Sequence, residues 1–199
     1  MDTSNVATTE YHYRAAPRRT SLVQIALRVD LAVTVFYLVA SIAASFAPAI
    51  AKLAGPTLGL FAAVHILTLV SLFVWLHRAT ANVYAFGADI SFDPPWAIGW
   101  LILPVVNIWM PFVVMEELWR ASEDAHAWRQ HTAPWAVIYW WAAWAASCLL
   151  GVLAYFTGGA LVVKAGYLIA TAAYLFLLAP IVEQIRDLQQ TQAARNGLA

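Results

Sequence analysis

The chain has 199 residues, 62% of them hydrophobic and 11% charged, against about 45–50% and 25% in an ordinary soluble domain. Eleven lysines and arginines balance eleven aspartates and glutamates, so neither a polyanion-binding surface nor an acidic solvating tail is present. This composition excludes a water-soluble globule and disfavours nucleic acid as a partner. It predicts an all-α, polytopic membrane helical bundle.

Residues 1–20 read as a polar, mobile tail. Arg18-Arg19 ahead of an apolar stretch is similar to a twin-arginine export signal, but Arg28 and Asp30 interrupt what would be its apolar region. An uncleaved first helix is the better reading.

The gaps between charged residues locate the spans, because a spanning helix needs about 20 residues that lipid tolerates. There are 21 uncharged residues between Asp30 and Lys52, 25 between Lys52 and Arg78, 22 between Asp93 and Glu116, 34 between Arg129 and Lys164, and 18 between Lys164 and Glu183. The gap of 34 breaks at Thr157-Gly158-Gly159, a turn signal. Spans are therefore expected at about 30–51, 57–86, 135–157 and 160–188 in one transmembrane domain over 21–190, followed by a tail over 191–199.

Between the second and third spans lies a broken element over 94–123. Its apolar part, 94–115, contains Pro104 and Pro111, which remove backbone donors, and Gly99 and Asn107, which weaken a helix. If this segment enters and returns on one side, nine arginines face the cytoplasm and Lys52 and Lys164 face out; if it crosses, the split is 6 to 5. The positive-inside rule favours the first arrangement. Four spanning helices plus a Pro-broken re-entrant or interfacial element follow, with both termini cytoplasmic.

Ten tryptophans suit the lipid–water boundary. Trp75, Trp96, Trp109, Trp119, Trp128 and Trp135 are expected there as a belt, with Trp140, Trp141 and Trp144 deeper in the third span. The single cysteine, Cys148, excludes an internal disulfide or a CxxC centre.

Two places carry polar groups that chemistry could use. At the cytoplasmic boundary, Arg78 and Asn82 are four apart on one helix face, as are Glu116 and Arg120. A bridge from Arg78 to Glu116 or Glu117 would fix the broken element; alternatively Arg78, Asn82 and Arg120 would take a lipid phosphate or carboxylate or a protein partner. Asn107 lies within the broken element itself. At the bilayer centre, His65 is level with Ser41, Ser147 and Thr171, which predicts a hydrogen-bonded polar layer between helices. A proton step through His65 is the functional alternative, but the expected bundle offers no membrane-embedded Asp, Glu or second His to complete a relay, which argues against a pump.

No histidine pair suits haem, and Glu123-x-x-His126 lacks the further carboxylates a di-iron bundle uses. No phosphate loop, nucleophile elbow or zinc-protease motif is present. The sequence therefore predicts no enzyme, no cofactor and no metal.

The stretch FVWLHRATANVYAFGADISFDPPWAIGWLILPVVNIWMPFVVMEELWRAS, from Phe73 to Ser122, carries a distinctive order of residue types: Arg78, Asn82 and Gly87; Phe92, Pro95 and Trp96; Pro104, Asn107 and Pro111; then Glu117, Trp119, Arg120, Ala121 and Ser122. It resembles the signature of a bacterial membrane-protein family described as domain of unknown function 4328, departing only in the double Pro94-Pro95 after Asp93. The resemblance implies a small multi-span protein of the bacterial cytoplasmic (inner) membrane and supplies no activity.

Two functions are expected from the whole. One is a non-enzymatic scaffold, accessory subunit or regulator whose partners are the lipid bilayer and other membrane proteins. The other is a small transporter or lipid-binding protein that uses the broken helix around Pro104 and Asn107.

Overall fold

Long uncharged runs leave backbone amides and carbonyls no partner but each other in lipid, and only the helix satisfies them within one segment. The computed structural model describes residues 11–103 and 105–198; residues 1–10 (the first half of the expected N-terminal tail), Pro104 and Ala199 lie outside the described residues. The helices are α1 Pro17–Ala44, the one-turn α2 Pro48–Ala51, α3 Ala54–Ala85, α4 Pro94–Ile102, α5 Met110–Glu123, α6 Trp135–Phe156 and α7 Leu161–Arg195, with no strand among the described residues. Four of them, α1, α3, α6 and α7, are long and apolar enough to cross a membrane.

The first span differs most from its expected position. It begins at Pro17 rather than near 30 and ends at Ala44 rather than 51. Proline at the first helical position starts it, and Arg28 and Asp30 lie inside it rather than at its edge. Arg28 is exposed, where its long side chain can reach toward water, and Asp30 is buried against a histidine. The expected mobile tail is also corrected over 11–16, because Tyr13 stacks on Phe86 at 5.2 Å and Tyr11 packs against Tyr84 at 5.6 Å. At the other terminus α7 continues to Arg195, with Gln192 and Ala193 buried rather than in a tail.

Pro94, Pro95 and Pro111 of the broken element act as helix starters. Asp93 caps α4 by accepting from the Trp96 amide at 3.1 Å, ahead of Pro94 and Pro95; Pro111 sits in the first turn of α5. Between them, Val105 takes φ +70° before a 3-10 turn at Val106–Ile108, and Trp141 of α6 donates its indole N–H to the Ile108 carbonyl at 2.8 Å. The pieces have nine and fourteen residues, about 14 and 21 Å of helix against a hydrocarbon core of about 30 Å. Neither is long enough to cross.

The long helices form an open arc in the order α3, α1, α7, α6, with neighbours packed pairwise. Small residues let α6 and α7 approach closely: a Cβ on Gly151 would stand 3.4 Å from the Tyr167 ring, and one on Gly166 would stand 3.5 Å from Leu150. Their connection uses Gly158 at φ +62° and Gly159 at φ +79°, conformations that side chains disfavour. No such packing joins α3 to α6. At the terminal end, where residues 11–20 and the last turns of α7 meet, α5 packs on α3, α6 and α7 and closes the arc. At the opposite, loop end the arc stays open.

The main core sits at the terminal end. Of the tryptophans expected at the boundary, Trp75, Trp119 and Trp128 are buried in this core, whereas Trp96, Trp109 and Trp135 are exposed.

Candidate functional site

Midway along the arc, three helices meet at a polar cluster. His65 lies eleven residues into α3, about 16 Å from its loop-end start. Its Nδ1 is 2.9 Å from Asp30 Oδ2 on α1, and its Nε2 is 3.0 Å from the Tyr174 hydroxyl on α7. Asp30 is fully buried and His65 is 23% exposed, so the pair reaches the surrounding space only through the imidazole. Asp30 Oδ1 and Thr34 Oγ1, one turn apart on α1, have no hydrogen-bond partner among the described residues. A carboxylate, an imidazole and a phenol in a row fix the register of three helices and can hold a proton between them.

Asp30 therefore supplies the acidic partner for His65 that reading it as a span boundary had removed. The other members of the expected midplane layer do not bond the imidazole. Ser147 donates to the Trp144 carbonyl at 2.7 Å and Thr171 to the Tyr167 carbonyl at 2.9 Å, each within its own helix. Ser41 Oγ is buried without a partner among the described residues.

His65, Ser147, Thr171 and Tyr174 share one groove of about 770 Å³ between α3 and α6. It exists because those two helices stay apart while α1 and α7 form its floor. Tyr37, Phe61, Trp144 and Tyr167 supply aromatic surface, and Tyr37 stacks on Phe61 at 5.2 Å. Near the loop end Lys164 enters the groove, with its ammonium 4.4 Å from the centre of the Tyr37 ring. That cation–π contact holds the ammonium in place; Lys164 makes no ion pair with a carboxylate among the described residues. Cys148, the single cysteine, is exposed in the same groove. Asn107 does not line it, and the Asn107 side-chain oxygen is buried without a partner among the described residues.

The terminal end holds a second polar network. Asn82 is buried on α3; its side-chain oxygen accepts from the Arg14 amide at 3.2 Å and from Arg78 Nε at 3.1 Å, and its nitrogen donates to Gln189 Oε1 at 3.0 Å and the Arg14 carbonyl at 3.3 Å. Gln189 in turn donates to the Ala79 carbonyl at 2.9 Å and to Ser122 Oγ at 3.0 Å. One glutamine thus joins α3, α5 and α7.

Arg78 donates its Nη2 to the His12 carbonyl at 2.8 Å. The expected bridge from Arg78 to Glu116 or Glu117 is not formed. Glu116 pairs with Arg120 at 2.8 Å along α5, while Glu117 accepts from the Ser91 amide and hydroxyl, both at 2.8 Å, pinning the loop after α3. Each carboxylate has a nearer donor than Arg78. Gly87, at φ +87°, ends α3 so that this loop can turn back. Arg120 belongs to α5 and is not joined to the Arg78–Asn82 pair.

Fold and groove together define a small helical protein with four helices able to cross a membrane and a polar-floored groove between two of them. A family model described as "Domain of unknown function (DUF4328)" matches residues 19–186, and the chain belongs to that family. No curated protein and no solved structure matches it.

Proposed function

We propose that this protein is a non-enzymatic integral membrane protein that holds a lipid-like amphiphile with an anionic head in the groove between α3 and α6. The observation that carries this reading is Lys164, a cation without an acidic partner among the described residues at the loop end of an aromatic-walled groove. An apolar tail would lie against Phe61, Trp144 and Tyr167, and the head would meet Lys164. Binding sites of this kind combine a largely apolar lining with a few placed polar groups. The site moves from the broken helix around Pro104 and Asn107 to the gap that the arc leaves open.

The protein resides in the bacterial cytoplasmic membrane with both termini cytoplasmic, a reading supported by the gathering of most arginines at the terminal end and of Lys52 and Lys164 at the loop end. Its partners are the bilayer and, through its exposed faces, other membrane proteins; a net charge of zero gives no support to nucleic acid.

Two variants test the reading. Ser147→Trp fills the groove and Lys164→Gln removes its cation. Mass spectrometry of lipids retained by the purified protein should show loss of the retained amphiphile in the first and loss of preference for an anionic head in the second. Unchanged lipid in both would overturn the reading. A scaffold reading rests on the hydrogen-bonded network at the terminal end, and a stoichiometric protein partner with an empty groove would favour it.

A further inference from the structure

The opposite end of the molecule carries an independent charged cavity. Arg14, Arg18, Arg19 and Arg78 line a pocket of about 340 Å³ together with Ala15, Ala16 and Pro17. None of the four pairs with a carboxylate among the described residues, whereas Arg120, Arg129 and Arg186 all do. Arg14 and Arg19 are close enough to Arg78 to repel it electrostatically.

Such a cluster of like charges costs free energy unless an anion neutralises it. Here the cluster is held in place by the fold. Asn82 grips both the amide and the carbonyl of Arg14, and Arg78 is tied to Asn82 and to the His12 carbonyl. These bonds occupy Arg78 Nε and Nη2 and leave Nη1 without an acceptor among the described residues. A guanidinium presents five donors in a fixed fork. The same pocket meets the start of α1, whose first turn has no acidic residue and whose cap offers no side-chain oxygen, so the helix adds its own positive end.

We infer that this pocket is a binding site for a phosphate-bearing anion. Guanidinium forks match phosphate oxygens in pairs, and several converge here where the first membrane-length helix begins. The shared chemistry is the phosphate; its two sources are the head of an anionic phospholipid and a soluble phosphate ester. The site shares no residue with the α3–α6 groove, so it stands or falls separately from it.

The test uses the full chain in maltoside micelles, with phosphatidylglycerol, phosphatidylcholine and glycerol 1-phosphate as probes and affinity read by native mass spectrometry and thermal shift. With the α3–α6 groove filled by Ser147→Trp, phosphatidylglycerol should still bind at least about tenfold tighter than phosphatidylcholine, and adding the exposed-side-chain changes Arg18→Gln/Arg19→Gln should remove that remaining margin. Arg14→Gln serves as a second variant should the double one unfold early. Competition by millimolar glycerol 1-phosphate assigns the site to soluble phosphate esters; binding of the lipid undisturbed by it assigns the site to the phospholipid head. The inference is overturned if neither phosphatidylglycerol nor glycerol 1-phosphate binds in preference to phosphatidylcholine. It is overturned equally if the pocket variants bind like wild type, or if Arg195→Gln, an exposed arginine outside the pocket, lowers binding as much as they do.

Discussion

His65 and Asp30 meet across α1 and α3 at 2.9 Å, with the carboxylate fully buried inside a helix long enough to span the bilayer. Burying a carboxylate is tolerated when a charged or hydrogen-bonding partner compensates it. Removing that partner is expected to cost more than removing the acid. His65→Ala strands the carboxylate and should lower unfolding free energy by about 3–5 kcal/mol. Asp30→Asn keeps an acceptor for the imidazole and should cost clearly less. Thermal unfolding in detergent measures both; a His65→Ala protein as stable as one altered at exposed Leu58 would show that the pair is not structural.

Asn82 and Gln189 couple the start of the chain to the end of α7. Each truncation to alanine leaves buried partners unsatisfied and should cost about 1–3 kcal/mol. Because the two amides share a bond at 3.0 Å, their double-mutant cycle should show a coupling of about 0.5–3 kcal/mol. Strict additivity would mean that each amide is held by its other neighbours.

Asp124 lies in the turn after α5 and accepts from the amides of Ala127 at 3.0 Å and His126 at 2.9 Å. The Ala127 bond first, then the His126 bond, holds its carboxyl below the usual carboxylate range. A group lowered on folding stabilises the folded state above its unfolded value, about pH 3.9, and that contribution disappears as pH falls through the lowered value. Asp124→Ala should therefore reduce the unfolding midpoint at pH 7 and differ little from wild type at pH 2. An equal deficit at both values would show that the carboxylate charge is irrelevant.

The sequence made the membrane class, the last three spans and the Gly158–Gly159 turn legible, because each rests on local composition or on backbone conformation. The first span was not, for a physical reason. Counting uncharged gaps treats every charge as a boundary, and Asp30 is compensated by a residue 35 positions away. The same long-range pairing hid two of the three members of the polar cluster: His65 was visible as an isolated imidazole, while Tyr174 and Asp30 acquire their roles only when three helices meet. Arg78 and Asn82 were legible as a helix-face pair, but their partners Arg14 and Gln189 come from opposite ends of the chain. Glutamate spacing along α5 showed the Glu116–Arg120 pair and could not show that Glu117 turns to Ser91. The groove itself follows from an absence of packing between α3 and α6, which no local pattern encodes.

If the groove, rather than the rest of the apolar surface, holds an anionic amphiphile, a lipid probe must label the groove preferentially. Photo-crosslinking with a phosphatidylglycerol bearing a diazirine on its acyl chain, followed by peptide mapping, tests it most directly. Adducts should concentrate on the groove-lining stretches of α3 from Leu58 to His65 and of α6 from Trp144 to Tyr155 and be reduced by Ser147→Trp. Adducts spread evenly over exposed residues such as Ile25, Val29 and Phe36 of α1, and unchanged by that variant, would contradict it.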